Sequence, residues 1–126
     1  MKNFDPDFNN TEKLANLFGD EAKRVANLLN DGSGYKADIS TTQFRQFYEK
    51  ILELNDKAEG NDKFNVEVLP FVKLLNSKVQ YSHSRRHCGD RFVEMMEKSI
   101  KNVNSAEELK NFKYFLEAII GYMPKK

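Results

Sequence analysis

The chain has 126 residues, 40 % of them apolar and 31 % charged, with a formal net charge of +1. That length suits one domain, residues 1–126, with a real core, and the near-neutral balance excludes indiscriminate polyanion binding, so any nucleic-acid contact is confined to one face. No apolar run approaches the roughly 18 residues of a membrane span, the opening MKNFDPDFNNTEK lacks the layout of a secretory signal, and the lone Cys88 excludes a disulfide framework, which leaves a cytoplasmic setting as the expectation.

Helical spacing dominates, and no alternating strand pattern appears. The first segment, about Thr11 to Leu29, places Leu14, Leu17, Phe18, Ala22, Val25, Leu28 and Leu29 on one stripe. Asn30, Asp31, Gly32 and Gly34 are its expected stop. The second segment opens with Ser40 and Gln43, a capping signature in which side chains satisfy the first unpaired amides. Its stripe is Phe44, Phe47, Tyr48, Ile51 and Leu54, and the polar run NDKAEGNDK (55–63) reads as a solvated loop.

The third segment runs from about Val66 to Ser84, with Pro70 required near its first turn or at a kink. Val68, Leu69, Val72, Leu75 and Val79 form its inner face. Cys88, Gly89 and Asp90 either break it from the next segment or sit inside one long helix, where Gly89 would cost about 1 kcal/mol relative to alanine. Phe92, Met96, Ile100 and Val103 then point inward, and a second capping box, Ser105 with Glu108, starts the last helix. That helix buries Leu109, Phe112, Phe115, Leu116, Ile119 and Ile120 and is expected to stop at Pro124. The expected fold is an all-α bundle of about five helices.

Charge is polarised along this framework. Residues 65–91 carry five Lys/Arg against two Asp/Glu, although the whole chain is nearly neutral. On a helix, Lys78, Ser82, Arg85 and Arg86 would share a face with Tyr81 alongside, and Lys73 would extend the stripe. Guanidinium groups grip phosphate oxygens through two bonds and tyrosine stacks on a base or ribose. Arg45 stands one turn into the second helix, whose positive N-terminus also suits phosphate. The plainer reading is a basic face paired with neighbouring glutamates, and for Arg45 alone that reading is favoured.

His83, His87 and Cys88 have metal-ligand chemistry, but no distant Cys or His completes a set and two arginines repel a cation, so no metal or other cofactor is expected. Catalysis finds no constellation either. The carboxylates pair with lysines at helical spacing (Glu94/Lys98, Glu97/Lys101), and neither a phosphate loop nor a nucleophile elbow occurs. The chain is expected not to be an enzyme.

Three blocks, ISTTQFRQFYEKI (39–51), LLNSKVQYSHSRR (74–86) and ELKNFKYFLEAIIGYM (108–123), resemble in order and spacing the small subunit of type III-A CRISPR effectors, the Csm complexes. Lys113 to Tyr122 carries the most specific match; residues 38–123 are covered, and residues 1–37 match only weakly. Ser84 departs from the glycine common before the arginine. The resemblance implies a non-catalytic subunit whose copies stack along the ribonucleoprotein in antiviral defence. Its partners would be the backbones of the CRISPR RNA and target RNA, other effector subunits and neighbouring copies of itself, with monomer or homodimer left open for the isolated chain. Carried over by position, Arg45, Lys78, Tyr81 and Arg85 would face RNA, while Lys73, Arg86 and Arg91 are added by charge alone. The alternatives are a helical protein-interaction or nucleic-acid-binding adaptor using the same face. A DNA regulator would need a short turn before a recognition helix, which the long loop after the second segment does not supply.

Overall fold

A computed structural model describes residues 4–31 and 37–123. An extended lead carries Phe4, Pro6 and Phe8 inward at every second residue. A 3-10 turn (Thr11–Lys13), α1 (Leu14–Asn16), a π turn (Leu17–Glu21) and α2 (Ala22–Asp31) follow as one continuous helical run. The π turn has a sequence cause. Buried Leu17 and Ala22 are five residues apart, so a widened turn is needed to keep both on the inner stripe.

Thereafter come α3 (Thr41–Ala58), α4 (Phe64–Glu67), α5 (Leu69–Ser84), α6 (Asp90–Lys101) and α7 (Ala106–Tyr122). With the first run, the four long helices make an all-α bundle of five principal helices, as the periodicity implied. Both serines cap as expected: Ser40 accepts from Gln43 N at 3.1 Å, and Ser105 accepts from Glu108 N at 3.1 Å. The Glu108 carboxylate reaches back to Asn104 N at 2.9 Å, one residue before the cap. The expected stops at Gly32 and Gly34 and at Pro124 lie outside the described residues.

One boundary differs from expectation, and one that the sequence left open is resolved. Residues 55–58 are the last turn of α3 rather than loop, because Asn55 and Ala58 are buried and prolong the inner stripe. The chain then turns at Gly60, whose φ of 66° suits glycine. Between α5 and α6 the helix does break, and the single-helix alternative is excluded.

Packing explains that break. Cys88 pairs as an isolated bridge with Ile39, and Gly89 N donates to Asp38 O at 2.7 Å. A side chain at Gly89 would collide with the Asp38 carboxylate, which accepts from Phe92 N at 2.6 Å and thereby caps α6 from 54 residues away in sequence. α7 lies at the centre, against α2, α3 and the π turn, while α5 and α6 form a hairpin on one flank. The N-terminal lead closes over α7. Phe8 packs on Phe112 and Phe115, and Asn111 donates to Phe8 O at 2.8 Å. Burying each such ring contributes on the order of 1.5–3 kcal/mol. Among the described residues no helix is long and apolar enough to cross a membrane.

Candidate nucleic-acid interface

The flanking helix α5 presents three faces, and its sequence sets them. Val72, Leu75 and Val79 point into the core. Lys73, Gln80 and His83 turn to α6, bonding Ile100 O, Glu97 and Asp90. Phe71, Leu74, Lys78 and Tyr81, spaced three or four apart, face outward; Phe71 is 48 %, Leu74 51 % and Tyr81 63 % exposed. Proline occupies the first turn of α5, where its missing N–H costs nothing.

At its C-terminal end α5 closes through a Schellman motif: Arg86 N donates to His83 O at 3.0 Å and His87 N to Ser82 O at 2.9 Å. The motif requires a left-handed residue, and Arg86 takes that place with a φ of 63°. The expected helical face of Lys78, Ser82, Arg85 and Arg86 is therefore corrected: Arg86 lies beyond the helix, where the chain has already turned. Arg85 and Arg86 stand at the negative end of the helix dipole, a favourable place for cations.

The seven sequence-selected residues do not form one group. Tyr81 and Arg85 are together, with the guanidinium 5.8 Å from the ring centroid and a 3.4 Å bond from Arg85 Nη1 to the Tyr81 hydroxyl. Lys78 lies on the same outward face, and Arg86 is exposed just beyond it. Among the described residues no carboxylate pairs with Arg45, Lys78, Arg85 or Arg86.

Lys73 and Arg91 are engaged elsewhere. Lys73 Nζ donates to Ile100 O at 2.8 Å and caps α6, and its partial burial holds its pKa below the ordinary lysine range. It does not extend the outward stripe. Arg91 Nη1 donates to Leu28 O at 2.8 Å, tying α6 to α2. Arg45 is exposed on α3 and shares a face with Tyr48, so it stands apart from the α5 set. The Tyr48 hydroxyl donates to Glu117 at 2.8 Å, and its pKa is pushed up to about 12 by burial and then by that bond.

Sequence reasoning passed over the residues opposite α5. A cleft of about 420 Å³ separates α3 from α5, with Gln46, Phe47 and Lys50 on one wall and Ser77, Lys78 and Tyr81 on the other. A second cavity of about 350 Å³ shares Lys50 and Lys78 and runs toward Phe71 and Leu74. Lys57 Nζ lies 5.4 Å from the Phe71 ring centroid, and Lys50 pairs with Glu53 at 3.9 Å. One signal was visible in the sequence: Phe71 and Leu74 are apolar residues off the inner stripe of their own helix.

The His83, His87 and Cys88 set is dispersed. His83 bonds Asp90 at 2.7 Å, Cys88 is buried, and among the described residues no three His, Cys, Asp or Glu side chains gather to hold a metal. Burial, with the Asp38 charge second, pushes the Cys88 thiol up to about 11.

What the arrangement can do is bind an extended anion: exposed cations without carboxylate partners, beside an aromatic ring and an open cleft. A family model described as Csm2 Type III-A matches residues 12–123, so the likeness begins ahead of residue 38, within the first helical run. No curated protein and no solved structure matches the chain.

Proposed function

The chain belongs to the Csm2 Type III-A family, the small subunit of the multi-subunit type III-A CRISPR Csm complexes, and from that premise we propose that it is a non-catalytic subunit holding guide and target RNA backbones in antiviral defence. Copies stack along the cytoplasmic ribonucleoprotein and touch its other subunits. The RNA-facing residues are Lys78, Tyr81, Arg85 and Arg86 on the outward side of α5, with Arg45 of α3 as a separate contact. Lys73 and Arg91 act at one remove, by fixing the ends of α6 and α2.

The observation that carries this reading is the set of exposed cations at the closing end of α5 that have no carboxylate partner among the described residues. Phosphate contacts of this kind position RNA without reading bases, and specificity rests on pairing between guide and target. Four cationic contacts imply that log affinity for single-stranded RNA falls against log salt with a slope of about −3. The test is an anisotropy titration of the purified protein with a generic RNA at several salt concentrations, beside an Arg85→Ala/Arg86→Ala variant. Steep salt dependence, halved in slope by the variant, supports the reading; a variant that binds as tightly as wild type refutes it.

A second reading, in which this face docks an acidic protein, draws on the exposure of Phe71 and Leu74 beside Lys78. An Arg85→Glu/Arg86→Glu variant that keeps its RNA affinity yet fails to join the complex would favour it.

A further inference from the structure

We propose that the cleft between α3 and α5 receives an unpaired nucleobase, so that this subunit distinguishes a free nucleotide from a paired one. The inference rests on the RNA-backbone reading above and adds to it a ligand for a cavity that no phosphate contact explains.

The cleft, at about 420 Å³, falls in the roughly 300–1,000 Å³ range of small-ligand sites. Its chemistry is that of a slot for a flat, weakly polar body. Phe47, nearly buried, gives an apolar floor, and the Tyr81 ring stands at one side. The Gln46 amide and the hydroxyls of Ser77 and Ser82 line it as well. None of these three side chains is used in a hydrogen bond among the described residues, so their donors and acceptors are open to a ligand's edge.

Charge then selects the class. Lys50, paired with Glu53 at 3.9 Å, and Lys78 line the cleft, and among the described residues no carboxylate does. Arg85, against the Tyr81 ring, continues the positive track toward the end of α5. An aromatic body with an anionic tail complements such a site, and a nucleotide is that body. Stacking on tyrosine tolerates any base, whereas amide and hydroxyl groups meet the base edge. In a duplex those edges are paired and the faces stacked, so only an unpaired base can enter.

The test uses the full chain and probes of equal length: a mixed-sequence single-stranded RNA, the same strand annealed to its complement, and an abasic oligoribonucleotide with the same number of phosphates. Wild type is expected to bind the base-bearing single strand about tenfold more tightly than the abasic probe and the duplex, in line with the stacking contribution of roughly 1–3 kcal/mol per base. Gln46→Ala should remove that preference while leaving abasic affinity within about twofold; Tyr81→Ala should remove it too, and Tyr81→Phe should keep it. Arg85→Ala should weaken all three probes alike. Equal wild-type affinity for base-bearing and abasic RNA would overturn the cleft inference and leave the backbone reading standing. So would a Gln46→Ala/Tyr81→Ala variant that keeps every RNA affinity but fails to enter the complex, which would assign the cleft to a protein. Failure of wild type to bind any probe at low salt would overturn the backbone reading itself, and the inference with it.

Discussion

Stability and the proposed RNA contact make opposite demands on Arg86. Its φ of 63° places an L-residue in the left-handed region, which costs about 1–2 kcal/mol. The Schellman bonds from Arg86 N and His87 N hold it there. Arg86→Gly removes that strain but gives the unfolded chain extra freedom, which takes back about 0.4–1 kcal/mol. The expected net gain is roughly 0.5–1 kcal/mol, or about 2–5 °C in Tm for a chain of this length. In urea the midpoint should rise by about 0.3–0.7 M with an unchanged slope. Arg86→Ala is the control, since it removes the guanidinium and keeps the strain. Both variants should lose one phosphate contact and flatten the salt dependence of RNA binding by about 0.7. Arg86→Gly would thus fold more stably than wild type and bind RNA less tightly. A glycine variant no more stable than the alanine variant would refute the strain argument; unchanged salt dependence in both would remove Arg86 from the RNA face.

Lys73→Ala and Arg91→Ala should each lower stability by about 1–2 kcal/mol, by leaving helix-end carbonyls without their charged donors, while the salt slope of RNA binding keeps its wild-type value; a flattened slope would return them to the RNA face. Asp38→Ala should cost about 1–3 kcal/mol through loss of the α6 cap, and Gly89→Ala should destabilise wild type more than the Asp38→Ala background, because its collision is with the Asp38 carboxylate; additive effects in denaturant titrations would contradict that geometry. Cys88 supplies a pH test. Its folded pKa, about 11, lies above the ordinary 9.0, so its contribution is intact below pH 9 and is lost as pH rises toward 11 and the unfolded thiol ionises first. Replacing it with alanine should flatten that alkaline decline in Tm; a decline that persists unchanged would show that the thiol is not its source.

The helices themselves were legible because each long one carries a three-to-four-residue apolar stripe, and because Ser40 and Ser105 announce two starts with local chemistry. What escaped depends on partners distant in sequence. Phe4 and Phe8 belong to an irregular segment with no helical period, and they count as core only because α7 offers Phe112 and Phe115. The last turn of α3 looked like loop because only Asn55 and Ala58 of its polar run are buried. At the candidate site, composition located the cationic stretch but could not sort its members. A lysine that caps a neighbouring helix and a lysine that faces solvent read alike, so Lys73 and Lys78 were grouped although their helix faces oppose them. The cleft residues Gln46 and Lys50 became visible only once α3 was set beside α5.

The most direct measurement is ultraviolet cross-linking of the reconstituted type III-A complex, loaded with guide and target RNA, with cross-linked peptides mapped by mass spectrometry. The expected result is RNA attached to the small-subunit peptide that contains Tyr81, and its loss in an Arg85→Ala/Arg86→Ala complex that still assembles. Cross-links confined to other subunits, or unchanged at Tyr81 in that variant, would contradict an RNA-holding role for this face.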